Sequence, residues 1–256
     1  MIELDKIYNE NCTERIAEVC RSVQNPVIVT DPPFNVGYHY DEYKDKRGED
    51  EYYEWLADII QYCPSVIIHY PEQLYKLAFQ IEQFPERVVS WCYNSNTPKQ
   101  HRDICYFGIS PDFHGLGEYK NPTDKRVAKL IAQGKKPIGY DWLYCDQVKN
   151  VSADKLGHPC QMPLSVMCYI VNSLPKNATI IEPFAGSGTT CLAAKMGGVI
   201  MSVLKYQRST TKSQLGELPT IHRYSTFDST IKEGKPMTDN ETVTISADHN
   251  AKEGAR

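Results

Sequence analysis

The chain has 256 residues, of which 41% are hydrophobic and 23% are charged, and its net charge is −4. This length suits one medium-sized domain with a buried core rather than two full domains. No apolar run reaches the length of a membrane span, and the first residues lack the pattern of a secretion signal, so we expect a cytoplasmic protein with no membrane partner.

The nine cysteines are scattered along the chain without a CxxC pair. Zinc sites need clustered thiolates, whereas isolated cysteines among apolar neighbours are usually buried. We therefore predict buried, apolar cysteines and no metal site.

The first part of the chain alternates between helical and strand patterns. A short helix capped by Thr13 and a β-branched strand from Val27 to Val29 come first. A helix, a strand, a helix and a strand follow in order at 52–60, 66–68, 74–81 and 88–91. This alternation predicts an α/β fold with a parallel sheet and helices on both faces.

From Ser110 to Asn150 the alternation gives way to Gly, Pro and basic residues around one short helix, 125–133. We predict that this stretch is an insertion outside the sheet. Between Asn121 and Lys136 five basic residues face one acid, a pattern that can bind phosphates even on an acidic protein. A solvated basic surface is an equal alternative.

The alternation resumes at Pro163, which suits the first position of a helix that runs to about Leu174. A strand at 178–181 and a helix at 190–196 follow, and Gly197 and Gly198 end that helix. From about Ser209 the sequence is polar and loses its periodicity, so we expect an irregular tail.

The first candidate motif is Asp31-Pro32-Pro33-Phe34, directly after the 27–29 strand. In open α/β sheets, ligands bind at the carboxyl ends of strands. The prolines fix the backbone and leave carbonyl acceptors, so Asp31 and one proline carbonyl could together accept the two N–H groups of an amine. Phe34 could stack on a base. An ordinary turn after the strand is the alternative for the tetrapeptide alone.

The second motif is EPFAGSGTT, from Glu182 to Thr190, between a strand and a helix. Its glycines let the backbone approach a ligand, and the amino end of the helix favours a carboxylate. A phosphate-binding loop would need a lysine here and a dinucleotide fingerprint would need a third glycine, so neither fits. A glycine turn with a purely structural role is the remaining alternative.

The third motif is HPCQMP, from His158 to Pro163, directly before a predicted helix. Taken alone, its His and Gln are typical of capping or surface groups.

Together and in this order, DPPF, the basic insertion, HPCQMP and EPFAGSGTT resemble the β group of DNA amino-methyltransferases, which modify adenine N6 or cytosine N4. The resemblance covers about residues 1–200. It implies a Rossmann-like methyltransferase fold that uses S-adenosylmethionine, with a mostly parallel sheet and a small target-recognition insertion. The implied parts are the first part of the catalytic core (1–109), the target-recognition insertion (110–157), the cofactor-binding part of the core (158–208) and an irregular or non-native tail (209–256).

The resemblance also implies a role for each motif. The catalytic residues would be Asp31, Pro32, Pro33 and Phe34. S-adenosylmethionine would contact Asn11, Cys12, Asp31, His158, Gln161, Pro163, Glu182, Phe184, Gly186, Gly188, Thr189 and Thr190. Double-stranded DNA would contact Lys125, Arg126, Lys129, Lys135 and Lys136. The resemblance is compatible with a homodimer and with a restriction endonuclease partner, and the sequence decides neither.

Adenine N6 is favoured over cytosine N4 because the first motif opens with Asp rather than the Ser more usual for cytosine. However, 200–205 reads IMSVLK, with no acid where this family grips the cofactor ribose. We hypothesise a shifted reading frame, since another frame of the same bases could spell YECIEISKEYYEKSIRRI there. The sequence therefore predicts a disrupted strand and weak cofactor binding, and a catalytically impaired DNA-binding remnant is the alternative to an active enzyme.

Overall fold

One mixed β-sheet connects all parts of the chain that the structure describes. The computed structural model describes residues 7–8, 11–37, 45–149 and 160–204. The elements in chain order are β1 (Ile7–Tyr8), α1 (Cys12–Ser22), β2 (Pro26–Thr30), α2 (Glu49–Ile60), β3 (Ser65–His69), α3 (Pro71–Gln80), β4 (Arg87–Cys92), β5 (His101–Phe107), α4 (Lys125–Ala132), β6 (Trp142–Tyr144), α5 (Leu164–Ser173), β7 (Thr179–Glu182), α6 (Thr189–Gly197) and β8 (Ile200–Leu204).

The sheet has eight strands in the order β1-β8-β7-β2-β3-β5-β4-β6. Strand β5 is antiparallel to both of its neighbours, and every other pairing is parallel. The carboxyl ends of β7, β2, β3 and β4 therefore lie along the same edge of the sheet. The predicted α/β class with a mostly parallel sheet is confirmed.

Helices cover both faces of the sheet because side chains alternate along each strand. Val27 and Val29 pack with residues of α5 and α6 on one face. Ile28 points the other way and packs with residues of α1, α2 and α3. The predicted helices on both faces are thus confirmed, and within the described chain no helix is long and apolar enough to cross a membrane.

Two predicted helix starts are displaced. Asn11, not Thr13, caps α1, because the Asn11 side chain accepts a hydrogen bond from the Thr13 amide at 3.1 Å. The Thr13 hydroxyl instead accepts a hydrogen bond from Trp55 Nε1, also at 3.1 Å. Pro163 occupies the cap position before α5 rather than the first helical position.

Three strands were not located, and β1 among them has only two residues. Strand β5 begins with three polar residues, which hide its β pattern, and it pairs with β4 through Trp91↔Arg102. Strand β6 has only three residues, too few for a periodic signal, and it pairs with β4 through Trp91↔Leu143. The prediction that 110–150 lies wholly outside the sheet was therefore wrong at 142–144.

The prediction of a disrupted strand after residue 200 was also wrong. Strand β8 pairs with β7 through Ile180↔Met201 and with β1 through Ile7↔Val203. Backbone groups make these hydrogen bonds, and apolar and β-branched residues suit a strand whatever their detailed order. The expected tail at 209–256 lies outside the described residues.

The cysteine prediction was partly right. Cys12, Cys20, Cys105, Cys168 and Cys191 are buried. Cys160 is exposed and Cys63, Cys92 and Cys145 are only partly buried, so the prediction was wrong for these four.

Candidate active site

The first and second motifs meet at the edge formed by the strand ends. Strands β2 and β7 are parallel neighbours with Ile28 opposite Ile181, so the loops that follow them start side by side. The Thr30 hydroxyl donates a hydrogen bond of 2.6 Å to Glu182 Oε1 across this pair. The neighbouring strand ends therefore bring Asp31–Phe34 into one region with the turn of the second motif that contains Gly186 and Gly188, which we call the glycine turn. Ligand sites in open α/β sheets lie at such strand ends.

Glu182 connects the first and second motifs through hydrogen bonds. Its buried carboxylate accepts hydrogen bonds from the Thr30 hydroxyl, the Phe184 amide at 2.9 Å and the Thr190 hydroxyl at 2.8 Å. Burial raises the pKa of Glu182 to about 7 against these three hydrogen bonds, and the charge of Asp31 raises it further. Because its oxygens are engaged by the protein, Glu182 shapes the turn from within.

The glycine turn opens onto the start of α6. Gly186 and Gly188 have φ angles of 49° and 80°, a left-handed conformation that favours glycine. Gly188 is the cap residue of α6, and no described atom lies within 4 Å of where its Cβ would be. Thr189 and Thr190 are buried in the first turn. This arrangement leaves room for a negative group at the amino end of the helix.

The start of α1 forms the wall beside this turn. Cys12 is buried close to Glu182, whose charge adds to burial in raising the pKa of the thiol to about 12. The Phe184 ring lies 5.3 Å from Trp55, and Trp55 in turn donates to Thr13 at 3.1 Å. The predicted contacts Asn11, Cys12 and Phe184 thus share a region with Trp55, which the sequence analysis included only in the predicted 52–60 helix.

Asp31 carries a carboxylate oxygen that has no hydrogen-bond donor among the described residues. Its side chain is 18% exposed, and no described atom donates a hydrogen bond to Oδ1. The nearest cation, Arg102 Nη1, is 3.9 Å from Oδ1. Burial raises the pKa of Asp31 to about 6, although the Arg102 charge opposes this shift. Asp31 could therefore accept a hydrogen bond from a ligand.

A hydrogen-bonded chain fixes the second proline. The Tyr70 amide donates to His69 Nδ1 at 2.8 Å, so the other ring nitrogen carries the proton and donates to the Tyr52 hydroxyl at 3.0 Å. The Tyr52 hydroxyl then donates to the Pro33 carbonyl at 2.8 Å. Burial, helped by the charges of Arg102 and Lys99, lowers the pKa of His69 to about 3. The imidazole is thus neutral and holds the loop in place.

Four aromatic rings, which we call the aromatic cage, surround the Arg102 guanidinium. The distances from its central carbon to the ring centroids are 4.5 Å for Phe34, 5.2 Å for Trp91, 5.6 Å for Tyr70 and 5.9 Å for Tyr93. Phe34 also stacks on His69 with centroids 4.3 Å apart and an interplanar angle of 24°. The cage offers flat apolar faces beside Asp31.

A buried carboxylate fastens the loop after Phe34. Asp45 is 2% exposed and accepts hydrogen bonds from the amides of Asn35 at 2.8 Å and Val36 at 3.1 Å. The Asn35 side chain also accepts from the Arg47 amide and donates to the Arg47 carbonyl. Phe34 therefore stands on a loop that is held at both ends, beside a cavity of about 270 Å³ that Tyr52 and Gln73 also line.

The third motif reaches the same region through its last residues. Met162 Sδ accepts a contact of 3.8 Å from Arg102 Nη1, Gln161 is half-buried and Pro163 is buried at the start of α5. His158 lies outside the described residues.

The predicted DNA-contacting residues lie apart from the motifs in sequence, between β5 and β6. All five are exposed, on α4 or in the turn that follows it. Every residue of α4 is at least partly exposed, and Arg126 pairs with its own cap residue Asp124 at 3.7 Å. This placement suits both a phosphate-binding surface and a solvated helix.

Sequence reasoning missed several polar or aromatic side chains of the site. His69 ends β3 and Tyr70 follows it, at the same edge as Asp31, so the rule that located Asp31 could have found them. Tyr52 was counted only within the predicted 52–60 helix, although its hydroxyl links His69 to the Pro33 carbonyl. Arg102 gave no signal, because β5 itself was not predicted.

Comparisons with known proteins agree with this geometry. The family model described as DNA methylase, for N6 and N4 enzymes, matches residues 26–199. Type II methyltransferase M.BglII of Bacillus subtilis is 24% identical over 230 residues, which cover 75% of this chain and 62% of that protein. DNA adenine methyltransferase YhdJ of Escherichia coli (strain K12) is 24% identical over 230 residues, covering 78% of each chain. The chain thus spans less than two thirds of the length of M.BglII.

Solved structures share the fold. The M1.HpyAVI–SAM complex has a TM-score of 0.50 at 18% identity, over 79% of this chain and 94% of that one. The cytosine-N4-specific PvuII DNA methyltransferase has a TM-score of 0.52 at 13% identity, over 82% of this chain and 83% of that one.

Proposed function

Because the chain belongs to the N6/N4 DNA methylase family, we propose that it transfers a methyl group from S-adenosylmethionine to the exocyclic N6 amine of adenine in double-stranded DNA. The observation that carries this proposal is Asp31, a largely buried carboxylate at the strand end beside the glycine turn, whose Oδ1 accepts no hydrogen bond from the described residues. A carboxylate so placed can receive an N–H group from a substrate amine.

The protein's contribution to the reaction is to position the amine. Asp31 and the Pro32 carbonyl accept its two N–H groups, because the Pro33 carbonyl already accepts the Tyr52 hydroxyl. These hydrogen bonds draw the nitrogen lone pair out of conjugation with the ring and aim it along the line of displacement. S-adenosylmethionine, when bound, supplies an electrophilic methyl on its sulfonium. As the nitrogen–carbon bond forms, the sulfur–carbon bond would break and the sulfur would leave as a neutral thioether. The carboxylate stabilises the positive charge that develops on the nitrogen, which then releases one proton to water.

The residues at the turn fit the methionine end of the cofactor. Gly188 leaves space at the start of α6, where the backbone amides of Thr189 and Thr190 can receive a carboxylate, and Gly186 contributes to the turn before it. Phe184 with Asn11 and Cys12 forms the adjoining wall, and Glu182 holds the turn in shape. Gln161, Pro163 and His158 complete the proposed set. The protein fits the ribose of the cofactor less well, because β8 reads IMSVL and provides no acidic side chain.

Phe34 and the other rings of the aromatic cage receive the target base after it leaves the duplex. Asp31 as the first residue of the motif supports adenine, and YhdJ, by its name, is a DNA adenine methyltransferase. Cytosine N4 is the alternative, since the PvuII enzyme acts at that position. Lys125, Arg126, Lys129, Lys135 and Lys136, within the proposed recognition region 110–157, contact the DNA phosphates. The protein works in the cytoplasm of a bacterial or phage-infected cell.

A second candidate is a DNA-binding protein with impaired catalysis, which the lack of an acid in β8 favours. Incubation with methyl-labelled S-adenosylmethionine and mixed unmethylated DNA separates the two candidates. We expect label in the DNA and, after digestion to nucleosides, N6-methyladenine rather than N4-methylcytosine. Asp31→Ala should abolish the label while DNA binding persists. DNA binding by the wild type without any label would favour the impaired protein instead.

A further inference from the structure

Arg102 and Asp31 form a poor ion pair at the centre of the site. Their closest atoms are 3.9 Å apart, whereas arginine and carboxylate groups that are made for each other meet at about 2.8 Å. Among the described residues, neither Asp31 Oδ1 nor Arg102 Nε has a hydrogen-bond partner. The pocket around Asp31 is therefore not shaped for this guanidinium.

Phe34 has little room for a further ring. Both the His69 imidazole and the Arg102 guanidinium lie within 4.5 Å of its centroid. His69 is fixed by hydrogen bonds through both ring nitrogens. Arg102 is held more loosely, by the faces of aromatic rings and a 3.8 Å contact with the Met162 sulfur. Of the two groups against Phe34, Arg102 is therefore the one that can leave.

The guanidinium resembles a nucleobase edge in shape and in hydrogen bonding. It is flat, it lies against the faces of aromatic rings and it carries N–H groups on the side towards Asp31. We propose that Arg102 occupies the position of the target base while no DNA is bound, and that a base must displace it from the aromatic cage. This inference rests on the proposed function in one respect, namely that the aromatic cage receives a nucleobase.

Displacement of Arg102 lowers the apparent affinity for every base. A site that is competent only when Arg102 has left binds its ligand more weakly, in proportion to the fraction of molecules in that state. A base that makes weak contacts with the aromatic cage and Asp31 cannot compete, whereas the correct base can. Arg102 thus sets a threshold of affinity that applies equally to every base, and it does not touch the reacting atoms.

The test measures the binding of free adenine and free cytosine by calorimetry, with no DNA and no cofactor present. Arg102→Ala should bind at least one of the two bases about tenfold more tightly than the wild type does, as expected from the usual strength of cation–π contacts. Arg102→Lys keeps the charge but loses the planar group, so it should show a smaller gain. If the alanine variant does not fold, the lysine variant carries the test.

Two further variants locate the effect. Adding Phe34→Ala to Arg102→Ala should remove the gain, because the base then loses its stacking face. Arg87→Ala is the matched control. Arg87 lies on β4, the partner strand of β5, and its guanidinium also lies over an aromatic ring, that of Phe113, at 5.9 Å. It should bind both bases as the wild type does.

Unchanged base affinity in the folded Arg102 variants would overturn this inference, even if the wild type methylates DNA. A gain that depends on Phe34 would support it, even if the wild type transfers no methyl group. The two proposals can therefore fail independently.

Discussion

At the scale of single residues, two buried carboxyl groups make the protein sensitive to pH. Asp31 and Glu182 lie at the ends of neighbouring strands, and burial raises the pKa of each, to about 6 and about 7 respectively. Both shifts disfavour the ionised form in the folded protein. One group faces the proposed substrate and the other faces only protein donors, so they predict different measurements.

Asp31 should set the acidic limit of methyl transfer. The ionised carboxylate is the stronger acceptor and stabilises the charge on the amine, so kcat/KM should fall about tenfold per pH unit below about pH 6. Asp31→Asn keeps an acceptor oxygen but does not titrate, so its slower rate should be flat across this range. A wild-type rate that is constant down to pH 5 would show that Asp31 does not act as an ionised acceptor.

Glu182 should make the fold less stable as the pH rises. Its pKa is higher in the folded protein than its usual 4.5, so the folded state binds more protons and the free energy of unfolding falls between about pH 4.5 and about pH 7. Asp31 acts in the same direction at slightly lower pH.

Glu182→Gln isolates the contribution of Glu182. Denaturant unfolding at pH 5 and pH 8 should give a loss for the wild type that exceeds the loss for the variant by on the order of 1–3 kcal/mol. The amide oxygen can still accept from Thr30 and Phe184, so the variant should fold. Equal losses in the two proteins would contradict a buried, ionising Glu182.

At the scale of elements, most helices and strands could be predicted because their apolar periodicity is strong. Strands β2, β3, β4 and β7 and all six helices of the described chain agree with the sequence pattern within a few residues. Strands β5 and β6 could not be found, because polar residues begin one and the other has three residues. The carboxyl end of β2 located Asp31, whereas Arg102 became visible only once β5 was paired with β4.

Strand β8 leads to a prediction about cofactor affinity. The strand is present, yet IMSVL offers no carboxylate for a ribose diol, so wild-type affinity for S-adenosylmethionine should be weaker than micromolar. Leu204→Glu places an acid at the last residue of β8 and should tighten binding by about tenfold or more, if two hydrogen bonds form. Leu204→Gln matches its size without the charge and should give a smaller gain. Micromolar binding by the wild type in calorimetry would refute this prediction.

At the scale of the whole molecule, a net charge of −4 has to be reconciled with a polyanionic partner. The proposed solution is local, since α4 and the turn after it carry five exposed basic residues. The affinity for DNA falls as the salt concentration rises, and each phosphate contact adds about 0.9 to the magnitude of the slope of log affinity against log salt concentration.

The double variant Lys125→Gln, Lys129→Gln should therefore lower that slope by about two and weaken DNA binding. The control is Lys176→Gln with Lys195→Gln. Lys176 bonds to Asn172 and Gly197 near the start of β7, at the sheet edge opposite the strand ends that carry the site. Salt titrations by fluorescence anisotropy would measure both slopes. Identical slopes in the two double variants would show that α4 is a solvated helix that does not contact DNA phosphates.

The pairing of β1 with β8 has a consequence for biosynthesis. Ile7 lies opposite Val203, so one of the first described residues finds its partner only among the last. During translation, β2 can join β3 as soon as β3 has left the ribosome, but β1 must wait until nearly all described residues have emerged. The sheet therefore closes at its β1 edge last, and a ribosome that stalls before residue 200 would leave a nascent chain with β7 uncovered on that side.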